Sequence, residues 1–276
     1  MTQVEHPVDT LLDLAREAAE LAGRLLRDGR PAGLGVAATK SSPVDVVTEM
    51  DIAAEKLITE YLIERRPLDG YLGEEGGTTA EGSSGVRWVI DPLDGTVNYL
   101  YGLPSWAVSI GVEVYGERVA GVVEVPMRGE TYFARRGHGA FVTGGPYGDG
   151  HVRLRCRPTA PLAEALVATG FNYVADVRAH QAEVARELIP RVRDIRRGGS
   201  AAIDLCDVAA GRLDGYFERG LHPWDLAAGD IIAREAGALT GGRPGGPAGG
   251  ELTVAASPGV FEPLQALLEE LGAWHD

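Results

Sequence analysis

The sequence is poor in cysteine and contains no long apolar run. Its 276 residues include two cysteines, Cys156 and Cys206, which are too few for a disulfide framework and typical of a reducing compartment. No stretch of about 20 uninterrupted apolar residues is present, which excludes a transmembrane helix. The first 14 residues are acidic and lack a basic segment followed by an apolar one, so no signal peptide is predicted. We therefore expect a cytoplasmic protein.

Positive charge is also scarce. The chain carries 26 lysine and arginine residues against 40 aspartate and glutamate residues, which gives a formal net charge of −14 at pH 7. Because non-specific binding to nucleic acid or to an anionic membrane needs a basic surface, we expect neither partner. An acidic protein that acts on an anionic substrate needs local positive charge, and a bound metal ion is one source of it.

Hydrophobic residues make up 45% of the chain, enough for a sizeable core in one large domain or two closely joined lobes. We treat residues 1–276 as a single domain with a soft lobe boundary in the glycine-rich turn near 144–151. Apolar periodicity and turn residues predict helices over residues 8–27, 48–64, 201–210, 226–236 and 261–271, and strands over 44–47, 87–90 and 214–218. They also predict a strand meander over 106–141 and loops over 78–85 and 241–250.

Residues 88–96 read WVIDPLDGT and are the most informative segment. An apolar strand places Asp91 at its carboxyl end, where α/β folds bind ligands. Pro92 is predicted to end the strand and turn the chain, so that Asp94 returns to the same point. Two converging carboxylates repel each other unless a cation separates them, and oxygen ligands favour magnesium. The same residues are common turn formers, so this motif alone fits a plain turn equally well.

Three more segments add acidic residues: TEMD at 48–51, GEEGG at 73–77 and HPWD at 222–225. Taken singly, each has an ordinary structural interpretation. TEMD fits a capping box, GEEGG a solvated loop, and HPWD the beginning of a helix. A helix N-terminus stabilises a carboxylate by a few tenths to about 1 kcal/mol, which keeps Asp225 ionised.

In combination, these segments resemble the inositol monophosphatase family of lithium-sensitive, magnesium-dependent phosphatases. The resemblance extends over nearly the whole chain and depends on KSSPVDVVT at 40–48, GEE at 73–75, WVIDPLDGTVN at 88–98, GSAA at 199–202 and HPWD at 222–225. It implies the sugar-phosphatase fold, an α/β sandwich with five layers in the order α-β-α-β-α, and a homodimer. Val97 stands where the family usually has a second threonine, and Pro223 replaces a cysteine or variable residue. Neither change removes an implied ligand.

The resemblance also implies the roles of individual residues. Two or three magnesium ions would be held by Glu74, Glu75, Asp91, the carbonyl group of Leu93, Asp94 and Asp225. Thr96 and Asp51 would activate the attacking water, with Glu74 taking part in catalysis through the first ion. The substrate would contact Asp94, Gly95, Thr96, Gly199, Ser200, Ala201 and Glu218. The implied reaction is in-line attack of water on phosphorus without a phosphoenzyme. Lys40 fits either a position near the third ion or an exposed loop.

Two other patterns point to different chemistry. Cys206 and Arg212 have the spacing of cysteine phosphatases, but the cysteine lies in an apolar helical run without the glycine-rich loop that lowers a thiol pKa. We therefore interpret it as a buried structural residue. The four arginines between residues 191 and 197 are interpreted as a solvated face or a dimer edge rather than as contacts to substrate charge.

The substrate that we expect is inositol monophosphate. Histidinol phosphate, fructose-1,6-bisphosphate and a 3′-phosphonucleotide stay open, although the last two branches usually carry insertions that this chain lacks. An alternative from a different class is a non-catalytic regulator that binds a protein or RNA. The complete set of Glu74, Asp91, Asp94, Thr96 and Asp225 argues against a loss of catalysis, and the net charge argues against an RNA surface.

Overall fold

The computed structural model describes residues 6–76, 79–80, 82–158 and 160–274. Gly77 of the GEEGG segment and residues 1–5 of the N-terminus, on which predictions were made, lie outside the described residues. The helices in the described part are α1 (Val8–Asp28), α2 (Glu49–Arg65), α3 (Thr96–Leu100), α4 (Ala175–Leu188), α5 (Ala201–Ala209), α6 (Pro223–Glu235) and α7 (Pro258–Glu270). None of these helices combines the length and the apolar character that crossing a membrane requires.

The strands form two main sheets and a small ribbon. In chain order they are β1 (Ala38–Thr39), β2 (Val46–Val47), β3 (Gly70–Gly73), β4 (Thr79–Ala80), β5 (Val86–Asp94), β6 (Ala107–Val114), β7 (Glu117–Val125), β8 (Glu130–Arg135), β9 (Gly139–Gly144), β10 (Val152–Arg153), β11 (Leu166–Thr169), β12 (Asp194–Arg196), β13 (Gly215–Glu218), β14 (Leu239–Gly241) and β15 (Thr253–Ala256). The large sheet has the order β10-β9-β8-β7-β6-β5-β3-β4, and the smaller one has the order β12-β11-β13-β15-β14. β1 pairs with β2.

Four buried clusters define how these elements stack. α1 and α2 cover one face of the large sheet, where Ile58 is fully buried. α5 and α6 lie between the sheets, with Ile232 against the large sheet and Leu205 against the small one. α4 and α7 cover the outer face of the small sheet, where Leu264 is buried. The layers therefore follow the order α-β-α-β-α, and the predicted fold class is confirmed.

Local sequence signals explain where several helices begin. The N-terminus of α2 carries the predicted capping box, in which Thr48 Oγ1 accepts from the backbone N–H of Met50 and the Asp51 carboxylate accepts from that of Thr48. α6 and α7 begin three residues earlier than predicted, at Pro223 and Pro258. Proline suits the first turn of a helix because its missing N–H would have no intrahelical partner there.

Two details of the large sheet differ from the prediction. Pro92 does not end β5, which continues to Asp94 through a register shift against β6 between Asp91 and Asp94. Proline is tolerated at such an irregularity because no ladder hydrogen bond is required of it. The predicted loop over residues 78–85 contains β4, which pairs with β3. The predicted lobe boundary at 144–151 lies between β9 and β10, two strands of the same sheet.

A pair of glycines brings α6 close to the large sheet. Gly111 in β6 and Gly121 in β7 are cross-strand partners. A β-carbon at Gly111 would lie 2.5 Å from Cβ of Ala227, and one at Gly121 would lie 2.8 Å from Cα of Ala228. Both positions therefore have room only for hydrogen. This close packing places the beginning of α6, with Asp225, beside the end of β5.

Candidate active site

A cavity of about 260 Å³ opens where the carboxyl ends of β5 and β13 face the N-terminal ends of α5 and α6. Most of the predicted site residues line it: Glu74, Asp91, Leu93, Asp94, Gly95, Thr96, Gly199, Ala201, Glu218 and Asp225. The other three, Asp51, Glu75 and Ser200, contact side chains that line the cavity. The structure therefore brings together residues that are up to 174 positions apart in the sequence (Asp51 and Asp225).

Asp51 and Thr96 form a hydrogen-bonded pair at the wall of the cavity. Thr96 Oγ1 lies 2.8 Å from Asp51 Oδ1 and 3.0 Å from the carbonyl oxygen of Leu93. The other carboxylate oxygen of Asp51 accepts from Thr48 Oγ1 at 2.5 Å and from Thr48 N at 2.9 Å. Asp51 is fully buried, and this burial raises its pKa, although the hydrogen bonds act against the rise. The capping box of α2 thus fixes a carboxyl group of raised pKa beside a hydroxyl group.

Three aspartates from different elements converge in the cavity. Asp91 ends the regular part of β5, Asp94 precedes α3, and Asp225 lies in the first turn of α6. Burial raises the pKa of Asp91 and Asp225 well above the ordinary value, and the charges of Glu74 and Asp94 raise both further. Burial raises the pKa of Asp94 to about 6, against the hydrogen bonds that it accepts from Ser200 Oγ and Ala202 N at 2.7 and 2.6 Å.

The paired glutamates follow β3 and share one lysine. Lys40 Nζ lies 2.7 Å from Glu74 Oε1 and 2.5 Å from Glu75 Oε1. Burial acts to lower the pKa of Lys40, but the two carboxylates outweigh it and the pKa is raised. Burial raises the pKa of Glu75 to about 7 despite the ion pair with Lys40. The lysine therefore belongs to the site rather than to a solvated loop.

The cavity is also lined by groups suited to hydroxyl recognition, from the beginning of α5 and the end of β13. Gly199, with φ at +86°, leads into Ser200, whose side chain caps α5 by accepting from Ile203 N. Glu218 at the end of β13 accepts from Tyr216 OH at 2.7 Å, and burial raises its pKa to about 7. Carboxylates and hydroxyl groups bind polyols well, because each oxygen of a carboxylate accepts hydrogen bonds.

The donor set fits a hard divalent cation. Glu74, Asp91, Asp94 and Asp225 are among the carboxylates that line one small cavity. Burial and the neighbouring negative charges raise the pKa values of Asp91, Asp94 and Asp225. Oxygen donors of this kind are those that magnesium prefers. The indole N–H of Trp224, which also lines the cavity, is buried without a hydrogen-bond partner among the described residues. Within those residues, no three histidine, cysteine, aspartate or glutamate side chains already form a coordination sphere.

Several residues of the site were not singled out from the sequence. Asn172 and Tyr173, in the loop after β11, line the cavity, and Ser42 Oγ donates to the Tyr173 carbonyl oxygen at 3.2 Å. Glu55 accepts backbone hydrogen bonds from the segment that carries the paired glutamates. Asn172, Tyr173 and Glu55 belong to none of the quoted motifs, and the available signal is the four-residue spacing of Glu55 from Asp51 on one helix face.

Arg197 differs from its basic neighbours. Arg191, Arg193 and Arg196 form surface ion pairs with Glu270, Glu164 and Asp194. Arg197 instead lines the cavity, and its charge lowers the pKa of Glu218, although burial keeps that pKa raised overall. The interpretation of the cluster as a solvated face therefore does not extend to Arg197, which contributes positive charge to the site.

The second cysteine has no features of a nucleophile. Cys206 is fully buried in α5, and burial raises its thiol pKa well above the ordinary value. Arg212 is held by Glu130 at 2.6 Å and by the hydroxyl group of Tyr132 at 2.7 Å. A reactive cysteine needs an accessible thiolate of lowered pKa, so the Cys-x5-Arg spacing has a structural origin here.

Fold and site together define a layered α/β protein with a carboxylate-rich active-site cavity. The model of the inositol monophosphatase family matches residues 8–273. An inositol-1-monophosphatase SuhB of Mycobacterium tuberculosis is 48% identical over 244 residues, 86% of this chain and 82% of that protein. The Nus factor SuhB of Escherichia coli is 40% identical over 242 residues, 87% of each chain. The chain belongs to the inositol monophosphatase family.

Solved structures agree with this assignment. The structure of Mycobacterium tuberculosis SuhB superposes with a TM-score of 0.80 at 42% identity, covering 97% of this chain and 98% of that chain. The inositol monophosphatase SaIMPase-II with inositol monophosphate bound gives a TM-score of 0.72 at 25% identity, covering 95% and 93%. The family is metal-dependent and comprises phosphatases, and its sugar-phosphatase fold is the one described above.

Proposed function

We propose that this chain is a magnesium-dependent phosphomonoesterase that hydrolyses a small phosphorylated polyol, with inositol monophosphate as the first candidate. The observation that carries the proposal is the convergence of Asp91, Asp94, Asp225 and Glu74 on one cavity, beside the bonded pair of Thr96 and Asp51. A cluster of carboxylates supplies the ligands for cations, and the pair supplies a route for a proton. Both are needed to attack a phosphate ester with water.

Each acidic residue has a place in this proposal. Glu74, Asp91, Asp94 and Asp225 would hold two magnesium ions together with the carbonyl group of Leu93, and Glu75 would support a third. When bound, the ions supply positive charge to the phosphoryl group and make water more acidic. The carboxylates supply the negative charge that retains the ions. The residues that contact the phosphate are Gly95 and Thr96, whose backbone lines the cavity at the beginning of α3.

Thr96 and Asp51 would carry the proton of the attacking water. As the water oxygen bonds to phosphorus, Thr96 Oγ1 takes one of its protons and passes its own to Asp51 Oδ1, 2.8 Å away. The bond between phosphorus and the ester oxygen breaks, and the leaving alkoxide takes a proton from a solvent water to give the alcohol. Because burial raises the pKa of Asp51, its carboxylate is a better proton acceptor than an exposed aspartate.

The size and polarity of the cavity support a small polyol. A volume of about 260 Å³ accommodates a phosphorylated six-membered ring rather than a dinucleotide. Glu218 and Arg197 line the part of the cavity near Gly199, where hydroxyl groups of the substrate would lie. The structural relative SaIMPase-II binds inositol monophosphate, which supports the same substrate class here.

The test is phosphate release from a panel of esters at millimolar magnesium. The panel contains inositol 1-phosphate, histidinol phosphate, fructose-1,6-bisphosphate and a 3′-phosphonucleotide, each measured with magnesium, with EDTA, and with magnesium plus lithium. We expect the highest kcat/KM for the inositol ester, no release in EDTA, and inhibition by lithium. If no ester is hydrolysed with magnesium present, the proposal fails.

A binding role is the second candidate, because relatives at 40–41% identity carry the name Nus factor SuhB. This role is compatible with catalysis and does not replace it. Gel filtration of the chain with RNA, at physiological salt, tests an RNA complex, and the net charge of −14 leads us to expect none.

Analytical ultracentrifugation at two protein concentrations tests the homodimer that the family resemblance implies.

A further inference from the structure

Glu55 holds the backbone of the segment that carries the paired glutamates. It lies on α2 four residues after Asp51, and it is half-buried. Its Oε2 accepts from Glu75 N at 2.8 Å, and its Oε1 accepts from Gly76 N at 2.6 Å. One carboxylate thus spans two successive backbone N–H groups, an arrangement in which both hydrogen bonds are strengthened by the negative charge.

Gly73 shows how closely the two elements fit. A β-carbon at this position would lie 2.5 Å from Glu55 Oε2 and 2.7 Å from its carboxyl carbon. The absence of a side chain at the end of β3 therefore makes room for the Glu55 carboxylate. Gly73 therefore allows Glu55 of α2 to approach the backbone of the segment that carries Glu74 and Glu75.

The direction of the paired glutamates depends on this contact. Glu75 is attached to one of the two bonded nitrogens, and Glu74 is its neighbour, so the backbone at both residues is fixed relative to α2. The same helix fixes Asp51, which is bonded to Thr96. α2 therefore positions the proposed base through Asp51 and the proposed metal ligands through Glu55, one turn apart on the same face.

The geometry points to Glu55 as a positioning residue that sets the metal affinity of the site without contacting substrate. The inference rests on the proposed function, because it assigns Glu74 and Glu75 to metal. Groups that orient metal ligands typically change affinity about 10-fold to 100-fold when they are altered. Glutamine at position 55 keeps the shape of the side chain but presents an N–H₂ group to a backbone N–H, so one of the two hydrogen bonds is lost.

The test compares Glu55→Gln with Glu60→Gln, a control on the same helix whose side chain is 69% exposed. Binding of magnesium or manganese to the substrate-free protein is measured by titration calorimetry. We expect about 10-fold weaker binding in Glu55→Gln, parent-like binding in Glu60→Gln, and recovery of kcat by Glu55→Gln at saturating magnesium. Parent-like metal affinity in Glu55→Gln overturns the inference.

A second pair of variants keeps the test informative if one of them folds poorly. Gly73→Ala should weaken metal binding because its methyl group displaces the Glu55 carboxylate, whereas in a Glu55→Ala background the same methyl group has room and should have a smaller effect. Additive effects would contradict the proposed contact. Hydrogen exchange of the Glu75 and Gly76 amides, which should accelerate in Glu55→Gln, needs no metal. If the parent protein binds no metal, the proposed function fails while this exchange still decides the role of Glu55.

Discussion

Replacing Asp94 with asparagine should stabilise the metal-free protein while it removes activity. Asp94 is one of several acidic side chains in a buried site, and burial raises its pKa from the ordinary 3.8 to about 6. Asparagine has nearly the same shape, and its oxygen can still accept from Ser200 Oγ and Ala202 N. Its N–H₂ group would face neighbouring carboxylates as a donor, so the substitution removes a repelled charge without leaving a gap.

The magnitude follows from the pKa. A rise from 3.8 to about 6 corresponds to about 3 kcal/mol between the two protonation states. Because the pKa is raised in the folded protein, the associated stability is fully present below pH 3.8 and is lost as the pH rises through about 6. At pH 8 the parent therefore carries the whole penalty. We expect Asp94→Asn to be more stable there by about 1–3 kcal/mol, or about 2–4 °C in Tm for each kcal/mol.

Thermal unfolding of both proteins in EDTA, at pH 8 and at pH 4.5, measures the effect. The advantage of the variant should be large at pH 8 and small at pH 4.5. Magnesium at 100 times its Kd should add about 2.7 kcal/mol to the parent at pH 8 and less to the variant, so the stability advantage of the variant should shrink when magnesium is added. Phosphate release should fall at least about 100-fold. A variant that melts below the parent in EDTA at pH 8 would refute the electrostatic argument.

Three further outcomes are expected. Thr96→Ala should lower kcat about 100-fold and should also lower the Tm, because Asp51 Oδ1 loses the hydrogen bond from Thr96. Thr96→Ser keeps the hydroxyl group and should keep most of the activity. A Thr96→Ala variant as fast as the parent would exclude Thr96 from the proton route. Burial raises the pKa of Glu124 in β7 to about 7, so the free energy of unfolding falls as the pH rises through 7. Glu124→Gln should remove up to about 3 kcal/mol of this pH dependence, measured by denaturation at several pH values. The same pH dependence of stability in parent and variant would contradict this expectation. Cys206→Ala should keep the parent kcat in phosphate-release assays, and a large loss would revive a cysteine mechanism.

The sequence predicts local structure well where one short segment contains the whole signal. The apolar stripe of α1 and the capping box at Thr48 are examples, because helix periodicity and capping involve residues at most a few positions apart. The prediction that Pro92 ends β5 is wrong because the tolerance of a strand for proline depends here on a register shift against β6, which is a property of two strands. The predicted beginnings of α6 and α7 are three residues too far along the chain, because the apolar pattern starts after the proline in each helix.

The site itself was predictable only through the family resemblance. Spacing cannot show that Asp91 and Asp225 meet, since their proximity depends on the packing of α6 against the large sheet. Family motifs supplied that connection. Glu55 carried no such signal, because its partners are backbone N–H groups, which look the same in every residue. The sequence likewise does not predict that Tyr173 and Arg197 line the cavity, since their place there depends on how the small sheet faces the large one.

The glycine pair in the large sheet has a consequence for how this chain can change. A methyl group at Gly111 or Gly121 would push α6 outward, and Asp225 in its first turn would move with it, away from Asp91. The distance between α6 and the large sheet thus determines the width of the active site, and it is determined by two glycines that do not line the cavity. Larger residues at these two positions should be accepted only together with smaller residues on α6. The glycine positions and their contacts on α6 should therefore change together as the family diverges. An engineer who wants a wider site could adjust this spacing while leaving every cavity residue unchanged.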